Sequence, residues 1–379
     1  MEIAALPARK PTGAIDKIHL LRLQLEEQVR CAIEDQGKIV VLHQVERSKT
    51  GIEILFPSFL ERLKEKYQDN LIIVIDAAQM RGNESFSRYR KNKVPGRIGA
   101  RAKTHPAPVL AQSANMFLEY LNAGFCILGT GSKFFSGAPF SGFLLFPTAK
   151  RELLSCGDIA AGLGDYFARD EVDERLITLK EALPTRRNYG LLLRWETALA
   201  NIEQYASIPF EKRAYIIFRW GKKVRKLVTE TAHVNLLDKS AEIKNDYFQH
   251  GECNTIISFT LHPAIQNTSV KALGTGALKV VHQWMTKDIS ANLPNNATFE
   301  ERLAVSHKCL IGQPVEISEA PEIGVLRIAL SAPMVCQMAK ENRIAEMKRR
   351  IARELEDDRR ILDKLSLIGK YYYFLTKNL

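Results

Sequence analysis

The sequence predicts an α/β protein: a three-layer α/β/α large domain on a mainly parallel sheet, followed by a smaller α+β C-terminal domain. Three observations predict it. Amphipathic helical periods alternate with short apolar runs between Ile15 and Asp76, the pattern of parallel strands joined by covering helices. One run, Leu71-Ile72-Ile73-Val74-Ile75, delivers an aspartate, Asp76, at its carboxyl end, where open α/β sheets bind ligands. Finally, the stretch from Gly129 to Gly142 sets a single lysine, Lys133, among glycine, proline and hydroxyl residues between two β-prone runs.

Ile15 to Asp35 places Ile18, Leu21, Leu25, Val29 and Ile33 three and four apart, which predicts an amphipathic helix that Gly37 ends. Lys38 to His43 follows as a strand. Pro57 to Tyr67 repeats the helical period with Phe59, Leu60, Leu63 and Tyr67, and Asn70 to Asp76 is the next strand. Residues 89–114 break the pattern with glycines, prolines and the basic residues Arg90, Lys91, Lys93, Arg97, Arg101 and Lys103, and read as an inserted basic loop. Met116 to Asn122 resumes a helix that feeds the strand Gly124 to Leu128, and Phe143 to Phe146 is the second β-prone run. Helices are expected over Ala149 to Cys156, Glu174 to Ala182, Asn188 to Tyr205 and Phe210 to Thr231; strands over Asn254 to Leu261 and Val325 to Ser331; and one charge-alternating helix from Met334 to Ser366. Gly274-Thr275-Gly276 is a weak echo of Gly129-Thr130-Gly131 without a lysine. The organisation expected is a cofactor-binding domain over 1–205, a connecting helix over 206–235 and a small domain over 236–379.

At 379 residues, with 46% hydrophobic and 26% charged residues, the chain has the balance of a globular protein with a large core. No apolar run approaches the roughly 20 residues that cross a bilayer, and Met1 to Thr12 lacks the apolar centre of a secretory signal, so a cytoplasmic protein without a membrane partner is expected. Six scattered cysteines without a C-x-x-C pair argue against a zinc knuckle or disulfide framework; no metal site is expected. The net charge of +11 is concentrated around Arg88 to Lys103 and Arg213 to Lys226, without interleaved aromatics, and no nucleic-acid partner is expected.

Lys133 admits two readings: an amine hydrogen-bonded into a turn, or one that does chemistry. Being flanked by apolar strands, it is not expected to be a solvated surface charge. Asp76 is either a strand-end cap for the next helix or an acid partner in a site. His43 to Gly51 is either a plain strand-exit turn, with His43 in the core, or a site loop.

Together, Asp76 with Gln79 three residues on, the later Thr130-Gly131-Ser132-Lys133 with its Gly/Pro-rich tail, and the His43…Thr50-Gly51 loop resemble pyridoxal-phosphate (PLP) enzymes of the aspartate-aminotransferase fold (fold type I), nearest to the class V aminotransferase group. The resemblance implies a lysine that holds the cofactor aldehyde as a Schiff base and then moves the substrate proton, here Lys133. It also implies a carboxylate that keeps the ring nitrogen protonated, here Asp76. Gln79 would bond the ring hydroxyl, Ser48 and His43 would lie near the ring, and Thr130 and Ser132 would donate to the phosphate together with backbone N–H groups of the turn. Arg327 would clamp the substrate carboxylate, for which a guanidinium fork is suited; a surface salt bridge is its alternative. Gly312 to Val315 would belong to the substrate mouth. The activity implied is an aminotransferase acting on a small amino acid as a homodimer. A lyase, decarboxylase or desulfurase on the same scaffold, or a non-catalytic relative, are the alternatives. The family's glycine-rich phosphate cup and ring-stacking residue have no counterpart before Lys38, so the large domain is expected to lack its front.

Overall fold

The computed structural model describes residues 2–10, 17–46, 48–51, 57–79, 117–148, 160, 162–237, 255–264, 271–319, 322–341 and 343–378. The basic stretch 89–114 and the helix expected over Ala149 to Cys156 lie outside the described residues.

The fold is α/β, and its first sheet is mainly parallel. Strands β1 (Val40–Val45), β2 (Leu71–Asp76) and β3 (Cys126–Thr130) run parallel, and β4 (Gly142–Leu145) returns antiparallel to β3, in the order β1-β2-β3-β4. Val45 pairs with Asp76 and Asp76 with Leu128, so β1 and β2 end level and β3 runs two residues further, to Thr130. Helices α1 (Ile18–Arg30), α2 (Pro57–Tyr67) and α3 (117–122) supply Val29, Phe59, Leu60, Leu63, Tyr67 and Tyr120 to a core with Leu42, Leu71, Ile73, Ile75, Phe125 and Ile127.

Because side chains alternate across a strand, that core takes every second residue. The others, Val41, His43 and Val45 on β1 and Ile72, Val74 and Asp76 on β2, share the opposite face. Val41 and Val45 are 61% and 40% exposed there. Among the described residues the helices pack on one face of this sheet; the helical layer expected on the second face is not among them. His43 is exposed rather than the core histidine that one reading expected; alternation puts Leu42 and Gln44 inward instead.

The second sheet is antiparallel throughout, in the order β5 (Val234–Leu236), β6 (Ile256–Leu261), β8 (Glu322–Ala329), β7 (Gly312–Glu319). After the short helices α4 (Leu163–Tyr166) and α5 (Ile177–Ala182), it is accompanied by α6 (Tyr189–Ala206), α7 (Phe210–Glu230), α8 (Thr275–Met285), α9 (Phe299–Ser306), α10 (Ala332–Ala339) and α11 (Ile344–Asn378). Its core joins Ile216, Trp220 and Val224 to Phe259, Leu326, Ile328, Leu362 and Leu365, and extends to Phe134, Phe135 and Tyr205.

One helix differs from the sequence expectation, and two glycine-bearing stretches take regular structure. The helix expected over Met334 to Ser366 is two, α10 and α11, parted around Lys340 to Arg343; that polar stretch mimics the exposed face of a continuous helix. Gly274-Thr275-Gly276 is no phosphate loop: it starts α8, and Glu322 Oε1 accepts the Gly276 N–H at 3.0 Å. Gly312 to Val315 belongs to edge strand β7, where Pro314 is tolerated because an edge strand need not donate on its open side.

Candidate functional site

The carboxyl edge of β1, β2 and β3 gathers most of the singled-out residues. Leaving β1, the chain forms a tight loop in which Ser48 Oγ accepts the Thr50 N–H at 3.2 Å and lies 3.0 Å from Thr50 Oγ1. Asp76 ends β2, half-buried, with Oδ1 accepting the Ala78 N–H at 2.9 Å. That bond caps the turn after the strand, where one sequence reading expected a cap on the next helix, and leaves Oδ2 without a hydrogen bond among the described residues. Gln79, also half-buried, is the last described residue before the 80–116 segment. His43 shares the open face with Asp76, two residues before the end of β1.

The turn after β3 is tightly self-bonded. Thr130 Oγ1 donates to Ser141 O (2.8 Å), accepts the Ser132 N–H (3.1 Å) and lies 2.9 Å from Ser132 Oγ. The Gly131 N–H goes to Ser141 O and the Gly137 N–H to Gly131 O. The backbone donors of Gly131 and Ser132, expected to face a phosphate, are therefore spent within the turn; with the Thr130 proton on Ser141 O, the Ser132 hydroxyl is left to donate to Thr130 Oγ1. Glycine is required here by α6: a Cβ on Gly131 would run into the Ala198 side chain, and one on Gly137 would come within 2.6 Å of it.

Lys133 itself is exposed, and its amine makes no hydrogen bond or ion pair among the described residues. This corrects the expectation that it would not be a solvated charge. The next two residues take the burial instead. Phe134 and Phe135, 4% and 8% exposed, stack edge-to-face on Tyr205 of α6, while Asn201 Nδ2 donates to Phe135 O and the Ala332 N–H to Phe134 O. Two buried aromatic anchors hold the backbone, and the lysine stands out from a fixed base.

Arg327 comes from the second sheet. Its Nη1 donates to Lys49 O at 3.4 Å, bringing β8 against the β1 exit loop, and burial pulls its guanidinium below the usual arginine range. It is not the surface salt bridge weighed from sequence: no carboxylate pairs with it among the described residues. Opposite it in register is Ser258, 7% exposed, whose hydroxyl has no hydrogen-bond partner among the described residues. Gly312 makes room for the arginine, since a Cβ there would lie 2.6 Å from Arg327 Cγ and Nε.

A second arginine, which sequence reasoning missed, meets the same loop. Arg9 Nη2 donates to Thr50 Oγ1 at 3.4 Å, and burial pulls the Arg9 guanidinium down to about 10. Arg9 precedes the first helix with no periodicity or motif around it, so nothing local marked it. Asp76, Ser48, Thr130, Ser132, Lys133 and Arg327 thus converge on one edge, whereas among the described residues no hydrogen bond or ion pair joins Lys133 to Asp76. Among the described residues, no group of three or more His, Cys, Asp or Glu side chains could hold a metal, and no helix is long and apolar enough to cross a membrane.

No family model matches the chain, and no curated protein matches it in sequence. Solved structures similar to it include mouse CSAD in apo form, with 14% identity over 96% of this chain and 57% of that one at a TM-score of 0.49. Oryza sativa TDC with PLP and tryptamine gives 10% identity over 93% and 55% of the two chains at 0.45. The Escherichia coli cysteine desulfurase CsdA gives 11% over 84% and 58% at 0.39. The chain spans a little over half the length of each of these structures.

Proposed function

We propose that this protein is a PLP-dependent transferase, an aminotransferase acting on a small amino acid through Lys133. One observation carries the reading: a strand-end carboxylate, a hydroxyl-bearing glycine turn with an outstanding lysine, and an arginine from the second sheet meet at one sheet edge. The residues fit the cofactor. Asp76 Oδ2 is open to a ring N–H, the Ser132 hydroxyl can turn from Thr130 Oγ1 to a phosphate oxygen, and the exposed Lys133 amine is open to an aldehyde carbon. Bound there, the cofactor supplies an electron sink for charge developing at the substrate α-carbon.

In this reading Asp76 holds a proton on the ring nitrogen, and Gln79, Ser48 and His43 border the ring. Lys133 moves a proton at the substrate α-carbon, and Arg327 fixes the substrate carboxylate. Residues 1–205 form the cofactor-binding domain, 206–235 the connection and 236–379 the small domain. The exposed Phe140, Tyr189, Leu192, Leu193 and Leu199, all on the lysine turn or on α6, support a homodimer that covers them. A second reading, a non-catalytic scaffold, is favoured by the spent N–H groups of Gly131 and Ser132.

Adding PLP to purified protein and following its visible absorbance separates the two. A cofactor band that amino acids discharge, with release of the matching keto acid, supports the transferase. A band discharged with loss of carbon dioxide or sulfide would replace it with a decarboxylase or desulfurase. Absence of any band in wild-type protein would leave the scaffold.

A further inference from the structure

At the corner where α6 gives way to α7, Arg213 is only 3% exposed. Its guanidinium carbon lies 4.6 Å from the centroid of the Tyr205 ring. That stack engages the flat face of the group alone. In its plane, Nε and Nη2 are both buried and have no hydrogen-bond partner among the described residues. We propose that Arg213 is the seat of a buried anion site, which takes one small monovalent inorganic ion of the chloride class. The site does not depend on the function proposed above.

The geometry selects the ligand. In a planar guanidinium the Nε–H and one Nη2–H point the same way, so the unpartnered pair is an edge that grips a single acceptor with two donors. A buried charge also needs an opposite charge, not hydrogen bonds alone. No carboxylate pairs with Arg213 among the described residues. Burial pushes the neighbouring Cys336 thiol of α10 up, which keeps it neutral. Tyr205 offers the electron-rich face of its ring, out of the guanidinium plane. A water would satisfy the two donors and leave the cation uncompensated; an anion does both. The ion has to be small, because so little of Arg213 meets solvent that a carboxylic acid or phosphate ester has no approach. Phe134 and Phe135 stack edge-to-face on the same Tyr205, so an ion held there bears on the packing that fixes the Lys133 turn.

The competing role for Arg213 is stacking alone, and an exchange of salts tells the two apart. The full chain is melted at constant ionic strength while potassium gluconate, whose anion is too large for the site, is replaced by potassium chloride. The melting temperature should rise along a saturating curve, by about 2 °C at roughly tenfold excess over the dissociation constant. Arg213→Met keeps an unbranched side chain over Tyr205 and removes the charge, so it should lose the rise; Arg213→Lys should keep part of it. A wild-type protein indifferent to the exchange, or an undiminished rise in Arg213→Met, would overturn the site. Should Arg213→Met fail to fold, crystals of the wild-type protein soaked in bromide decide the matter. An anomalous-scattering peak within hydrogen-bond distance of Nε and Nη2 is expected there, and a water or a carboxylate of the chain in its place would overturn the site.

Discussion

Asp358 gives the stability of this protein an unusual dependence on pH. Trp220 on α7 is fully buried against α11, and its indole N–H needs an acceptor. Asp358 on α11, 5% exposed, supplies Oδ2 at 3.0 Å. Burial is the main cause that lifts this carboxyl from 3.8 to about 7; the indole bond opposes it, and neighbouring Glu354 and Asp357 add to it. The folded state then holds a proton that the unfolded chain has released between these two values. Stability from this group is therefore complete below about pH 4, falls as pH rises, and is fully lost above about pH 7. At 1.36 kcal/mol per pH unit, the span from 3.8 to about 7 corresponds to about 4 kcal/mol. Asp358→Asn keeps an acceptor for the indole without a charge, and the new amide N–H groups offset part of the gain, so about 2 kcal/mol of extra stability at pH 8 is expected. Urea unfolding of both proteins between pH 5 and pH 8 checks this. The difference should favour the variant increasingly with pH; a constant difference, or a less stable variant at pH 8, would refute the reasoning.

Other perturbations act through single contacts. Gly312→Ala places a Cβ against Arg327; it should raise the amino-acid KM roughly tenfold with little change in melting temperature, the displaced group being a flexible side chain. Lys364, fully buried, donates to Met285 O, Lys287 O and His307 O, tying together the ends of α8 and α9. Lys364→Met strands these carbonyls and should cost about 3 kcal/mol in urea unfolding; an unchanged midpoint would contradict it. Ser132→Ala should weaken binding of PLP roughly tenfold but not that of pyridoxal, because it removes the hydroxyl that would turn from Thr130 Oγ1 to make a charge-assisted bond to phosphate.

The first sheet was legible because each strand ends in a punctuated turn and its helices show clean apolar spacing: Phe59, Leu60, Leu63 and Tyr67 are all buried as that spacing requires. β7 was not, because Pro314 and Gly312 suppress a strand signal that only its edge position excuses. α8 was hidden behind a glycine echo. In the site, Asp76 and the lysine turn could be read from local motifs, since both come directly after β-prone runs. The exposure of Lys133 could not, because it depends on Phe134 and Phe135 finding Tyr205, far along the chain. Nor could the meeting of Arg9 and Arg327 at residues 49 and 50, which arises only when the second sheet folds against the first.

Borohydride treatment of the protein with PLP, followed by peptide mass mapping, tests the central claim most directly. A cofactor fixed on the peptide that carries Lys133, at one per chain, is expected, with none fixed in Lys133→Ala. Label spread over the surface lysines, or undiminished in that variant, would contradict it.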